Sequence, residues 1–247
     1  MICHVCGKAM SDNKFFCTSC GAKLDGMPQG MVNLGNPPPH PNEGKDIEEA
    51  MALHMAATDI MEKSNRILEA NPNKRVSYDK AVEQFDRVIR KFGNHHNDII
   101  KTVVAKAMFA KGLSHQKMAQ YDKAIALFDD VINTWKGRRE IPFAEIVIRS
   151  MLGKAECLED TIGARAARDE YINIARIYDG EMEPTIVEVV LSACFSIAYN
   201  IAEEDSVSDA IAFIANISNK YSGSTAPSVI IGLEDLVSLQ KEIEKTL

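Results

Sequence analysis

Beyond residue 46, apolar positions recur three or four apart, and no stretch alternates apolar with polar in the manner of a half-buried strand. The pattern repeats on a larger scale. Ala81, Ala124, Ala167 and Ala210 stand 43 residues apart, as do Phe85, Phe128, Tyr171 and Ile214. Val88, Val131, Ile174 and Ile217 follow the same interval, and so do Phe92, Trp135, Tyr178 and Tyr221. Within each set the spacing of four, three and four residues traces one face of an α-helix. The alanine is small because another helix must approach closely there.

Upstream of each such helix a second register recurs at Val104, Val147 and Val190, at Ala107, Ser150 and Ala193, at Met108, Met151 and Cys194, and at Gly112, Ala155 and Ala198. Each unit is therefore predicted to be a helix pair, with the crossing at the small residue of the last set. The first unit begins with a long helix near Asp46 to Ala70 and has a longer connection, "NPNKRVS". Pro227 precedes a final amphipathic stretch, Val229 to Leu247. There Leu233, Leu236 and Ile243 are expected to face inward and Glu234, Lys241, Glu242 and Lys245 outward, so that the helix caps the stack. The fold class is all-α, a helical-hairpin solenoid with four pairs over 45–225 and a capping helix over 226–247.

Two stretches carry a family resemblance. "MFAKGLSHQKMAQYDKAIALFDDVI" places Gly112, Tyr121, Ala124, Phe128 and Val131 at the spacing of the tetratricopeptide repeat, and "YDKAVEQFDRVI" at 78–89 matches the second half of that unit. The chain resembles this family across about 47–221. It departs from it in a period of 43 instead of the usual 34 and in lacking the closing proline. The extra residues fall between units, as "GNHHNDII", "GRREIPFAEI" and "GEMEPTIVEV", and imply a first helix longer by about two turns.

The front of the chain is different. Residues 25–44, "DGMPQGMVNLGNPPPHPNEG", hold four Gly and five Pro and read as a linker, part extended and part flexible. Before it, residues 1–24 carry Cys3, Cys6, Cys17 and Cys20 as two C-x-x-C pairs, each followed directly by glycine. Four thiolates at this spacing suit one structural Zn²⁺ in a closed tetrahedral shell. So short a segment cannot bury enough apolar surface to fold alone, and metal binding would supply its folding free energy. The pattern, with Phe16 before the third cysteine and Leu24 after the last knuckle, resembles the short zinc ribbons at the N-termini of many bacterial and archaeal proteins. His4 lies between better-placed thiols and reads as solvent-facing; nucleic-acid contact through Phe15 and Phe16 is the alternative use of the ribbon.

Resemblance to the tetratricopeptide family implies that the first helix of each pair lines an inner, partner-binding face. By register the candidates are Phe109, Leu152 and Phe195, with Leu113, Glu156 and Tyr199 one turn later, flanked by Lys106 and Arg149. The expected face is a hydrophobic groove with a basic edge. It lacks the lysine and asparagine clamp some relatives use for a C-terminal carboxylate, since the later positions are Asp160 and Glu203. Burial of the same side chains between units is the competing expectation.

Composition narrows the function. At 46% hydrophobic and 26% charged residues the chain has the makeup of an ordinary soluble protein. It shows neither a signal-peptide pattern nor an expected membrane span, and the expected compartment is the cytoplasm, where thiols stay reduced. Net charge is −7, and no basic stripe stands out, which disfavours general nucleic-acid binding. "NHHND" at 94–98 could suggest a metal or acid–base role for His95, His96 and Asp98, but reads as a loop capping the next helix through Asn97 or Asp98. Cys157 and Cys194 read as buried thiols. With no catalytic constellation in sight, the expectation is a non-enzymatic, zinc-containing adaptor for protein or peptide partners, its oligomeric state open; a nucleic-acid-associated regulator is the alternative.

Overall fold

The computed structural model describes residues 42–71, 77–204 and 206–245. The cysteine cluster at Cys3, Cys6, Cys17 and Cys20 and all but the last three residues of the expected linker lie outside that range. The described residues are all-helical: α1 (Glu43–Ala70), α2 (Asp79–Phe92), α3 (Asp98–Lys117), α4 (Tyr121–Trp135), α5 (Ile141–Ile162), α6 (Ala164–Ile177), α7 (Pro184–Glu204), α8 (Val207–Tyr221) and α9 (Pro227–Glu244). Among them there is no strand.

Local chemistry sets the helix boundaries. Asn97 caps α3, its side-chain oxygen accepting from the N–H groups of Ile99 at 2.8 Å and Ile100 at 3.2 Å. Ser206 does the same for α8 through the N–H of Asp209. Pro142, Pro184 and Pro227 sit in the first turns of α5, α7 and α9, where a missing N–H costs nothing. Between α5 and α6 a single residue, Gly163, makes the turn at φ +106°, a conformation that a side chain would strain.

The odd-numbered helices are the long ones, and each packs on the next odd helix. Each even helix is held between the odd helices before and after it, and among the described residues the even helices do not touch one another. The residues spaced 43 apart make this arrangement. Ala81, Ala124, Ala167 and Ala210 are fully buried, as are Phe85, Phe128 and Ile214, with Tyr171 nearly so. Val104, Val147 and Val190 are buried on the odd helices. Ile217 and Tyr178 are only partly buried, which makes the later positions of the even-helix face the loosest.

The tightest packing surrounds Phe128 of α4. A Cβ added at Gly112 of α3 would lie 2.7 Å from its ring, and one at Gly153 of α5 would lie 2.8 Å from it. The aromatic ring therefore fills the space that two glycines leave on helices to either side.

Although no membrane span is expected from the sequence, helix α7 has the length and apolarity of one, with a mean hydropathy of 1.7. From Val189 to Ala202 it carries no charge. Its position explains the composition: α7 is packed by α5, α6, α8 and α9, and Ile186, Val190, Leu191, Cys194 and Ile197 are all buried.

Candidate functional site

Helices α5, α7 and α9 do not close completely, and the space between them is a cleft of about 560 Å³. Helix α5 contributes Leu152, Glu156 and Glu159, spaced four and three apart on one face. Helix α7 contributes Leu191, Ser192, Phe195 and Ser196, and α9 contributes Gly232, Asp235, Ser238, Leu239 and Glu242. Tyr171 of α6 also lines the cleft. The apolar part of the lining is Leu152, Leu191, Phe195 and Leu239. Phe195 remains 37% exposed, and Tyr199, one turn further along α7, 43%.

The charge in the cleft is of one sign. Glu156, Glu159, Asp235 and Glu242 all line it, and no Lys, Arg or His does. Two of these carboxylates are fixed by neutral donors: the Tyr171 hydroxyl donates to Glu159 Oε2 at 2.6 Å, and Gln116 Nε2 donates to Glu156 Oε2 at 3.0 Å. Neutral donors orient a carboxylate and leave its charge in place. The neighbouring tyrosines register that charge. Burial, and then the hydrogen bond to Glu159, push the Tyr171 phenol well above its usual range. The Tyr199 phenol is raised by its hydrogen bond to Glu203, with the charges of Glu242 and Glu159 adding to the shift. A low-dielectric concavity lined by like charges focuses their field outward, so the cleft attracts cations.

The residues expected to line a groove meet different fates. Leu152 and Phe195 both line the cleft, and Tyr199, one turn further along α7, donates its hydroxyl to Glu203. Phe109 and Leu113 instead pack on Phe128, the two phenylalanine rings 5.9 Å apart, and belong with the core. The basic edge expected from Lys106 and Arg149 is not part of the cleft. Lys106 is exposed on α3, and Arg149 lies between Glu145 at 3.1 Å and Glu188 at 3.7 Å, which neutralise it.

Glu159, Asp235 and Glu242 were not among the sequence candidates. A signal for α9 existed, because the series Phe109, Leu152, Phe195 continues to Ser238, and Leu113, Glu156, Tyr199 continues to Glu242. Carrying the 43-residue interval one unit further places both in the cleft.

Other candidate chemistry is quiet. His95 and His96 stack on each other with ring centroids 4.9 Å apart, and Asn97 caps α3. Burial pushes the Cys157 thiol up to about 12, with the charges of Glu156 and Asp160 adding to it, and burial does the same for Cys194. Both thiols stay protonated and unreactive near neutral pH. Among the described residues no group of three or more His, Cys, Asp or Glu could hold a metal ion. Compared with known protein families, curated proteins and solved structures, the chain has no match.

Proposed function

We propose that the protein is a non-enzymatic adaptor whose cleft between α5, α7 and α9 holds a segment of a protein partner bearing positive charge around an apolar side chain. The observation that carries this reading is the lining itself: four carboxylates with no cation among them, around an exposed phenylalanine. The phenylalanine and the neighbouring leucines supply apolar burial, at roughly 25 cal/mol per Å². The carboxylates select the sign of the partner's charge and speed its approach.

In this reading the helices form a tetratricopeptide-like solenoid of four pairs with α9 as a fifth odd helix. The burial of residues 43 apart and the contacts between successive odd helices support that view. Cys3, Cys6, Cys17 and Cys20 form a zinc ribbon, four thiolates closing the shell of one structural Zn²⁺, on a Gly- and Pro-rich tether that lets it contact a second partner. A phosphate backbone would be repelled by the cleft, so nucleic acid, the alternative partner, would have only the ribbon to bind.

The test uses short labelled peptides that share one central leucine and differ in their flanks: lysine and arginine, serine and glutamine, or glutamate. The cationic peptide is expected to bind the full-length protein, to weaken as salt rises, and to lose about tenfold in affinity on Phe195→Ser. Equal binding of all three peptides, or binding indifferent to Phe195→Ser, would refute the assignment.

A further inference from the structure

Helix α9 carries a second stripe, on the side turned away from the cleft. Ile230, Glu234, Val237 and Lys241 follow one another at four, three and four residues and share one face. Ile230 is 40% exposed and Val237 39%. With Leu233 they line an open groove of about 550 Å³ along the outer side of α9. Among the described residues nothing covers it.

Two kinds of occupant suggest themselves, another helix continuing the stack or a separate molecule. Lys241 decides between them. Counting back by 43 gives Ala198, Ala155 and Gly112, all buried, and Gly112 lies directly under Phe128 of the helix that follows it. A further helix laid on α9 in the same way would press on the long side chain of Lys241. Where the stack requires the smallest residues, α9 places an exposed charge.

That charge has a partner of opposite sign two turns away. Glu234 and Lys241 flank Val237, and the side chain of neither is paired with another described residue. An α9 helix meeting a second α9 antiparallel, about a two-fold axis near Val237, brings each Glu234 beside the other copy's Lys241 and packs the two Val237 side chains between these pairs, with Ile230 one turn outside them. We propose that this stripe is a self-complementary face through which two copies of the chain form a dimer. The cleft residues Gly232, Asp235, Leu239 and Glu242 lie on the other side of α9 and Ser238 borders both spaces, so both clefts of the pair stay open along most of their lining. A partner with two cationic segments would then be held at both, with the gain in avidity that linkage brings.

Light scattering and sedimentation of the full-length protein between about 1 and 200 µM test this, a range that brackets the weak self-association expected of a small interface. The mass is expected to rise from 27.3 kDa toward twice that value with concentration. E234K and K241E each set like charges against each other twice and are expected to weaken the dimer at least tenfold while leaving helix content unchanged. Mixed in equal amounts, the two variants restore both attractive pairs, and the mixture is expected to dimerise like the wild type. A wild type that remains at 27.3 kDa throughout, single variants that dimerise normally, or a mixture no better than its components would each overturn the proposal.

Discussion

Phe128 and Tyr171 occupy the same place in consecutive helix pairs, 43 residues apart, yet the structure is closed around one and open around the other. On either side of Phe128 stand Gly112 and Gly153, and the ring fills the gap between α3 and α5. The residues 43 further on are Ala155 and Ser196, and the ring between them carries a hydroxyl. That hydroxyl is committed to Glu159, and the space above it is the cleft. The same contrast separates Phe109 and Leu113, which pack on Phe128, from Phe195 and Tyr199, which stay exposed. A repeated register fixes the face on which a side chain lies. Whether that face is filled depends on the size and polarity of the few residues at the crossing.

The sharpest way to break this comparison is to truncate one aromatic from each region. Phe128→Ala removes a fully buried ring from a site whose glycines cannot fill the void, and is expected to cost about 3–5 kcal/mol of stability by urea unfolding. Phe195→Ala removes a ring that already meets water and is expected to cost under about 1 kcal/mol. Equal losses in the two variants would mean that Phe195 is core and that the cleft is no binding surface.

The parts of this contrast differ in how visible they are in the sequence. Helix pairing and the buried face of each helix follow from apolar spacing, because burying that face is what drives a short helix to form at all. The cap at Asn97 is equally plain. The sign of the cleft's charge is not, because it depends on long-range pairing: Arg149 is counted as basic in the chain but is neutralised by Glu188, one unit away. Some long-range pairing is itself repeated. Lys111 bonds Asp86, and Lys154, 43 residues later, bonds Asp129 as well as Glu170. A comparison of charged positions at the same interval exposes that seam, whereas a search confined to apolar residues passes over it.

A smaller effect tests the glycines. Gly112→Ala and Gly153→Ala each push a methyl group toward the Phe128 ring and are expected to cost about 1–3 kcal/mol. Because both press on one ring, the double variant should fall short of the sum, since a ring displaced by the first methyl has already lost much of its packing. Strict additivity in a double-mutant cycle would show that the two helices are not held together through Phe128. In the other region the matching positions already carry Ala155 and Ser196, so Ala155→Gly should bring no comparable gain.

The smallest expected effect concerns the hydroxyl that distinguishes the open region. At neutral pH Tyr171→Phe removes one hydrogen bond to Glu159, whose carboxylate can take a replacement donor from water in the cleft, so the cost should be about 0.5–1.5 kcal/mol. Raising the pH separates this from a simple packing loss. The folded-state pKa of Tyr171 lies above its unfolded value, through burial and the bond to Glu159, so its contribution is complete below the unfolded pKa of about 10 and is lost as pH rises beyond it. The variant has no phenol to ionise. Unfolding midpoints at pH 7, 9 and 11 should therefore show wild type and Tyr171→Phe drawing together at the alkaline end, measured as a difference because other raised tyrosines affect both proteins alike. A gap that keeps its size would mean that the phenol ionises as freely in the folded chain as in the unfolded one. The floor of the cleft would then be as wet as its mouth, and the difference between Phe128 and Tyr171 would lie in the glycines alone.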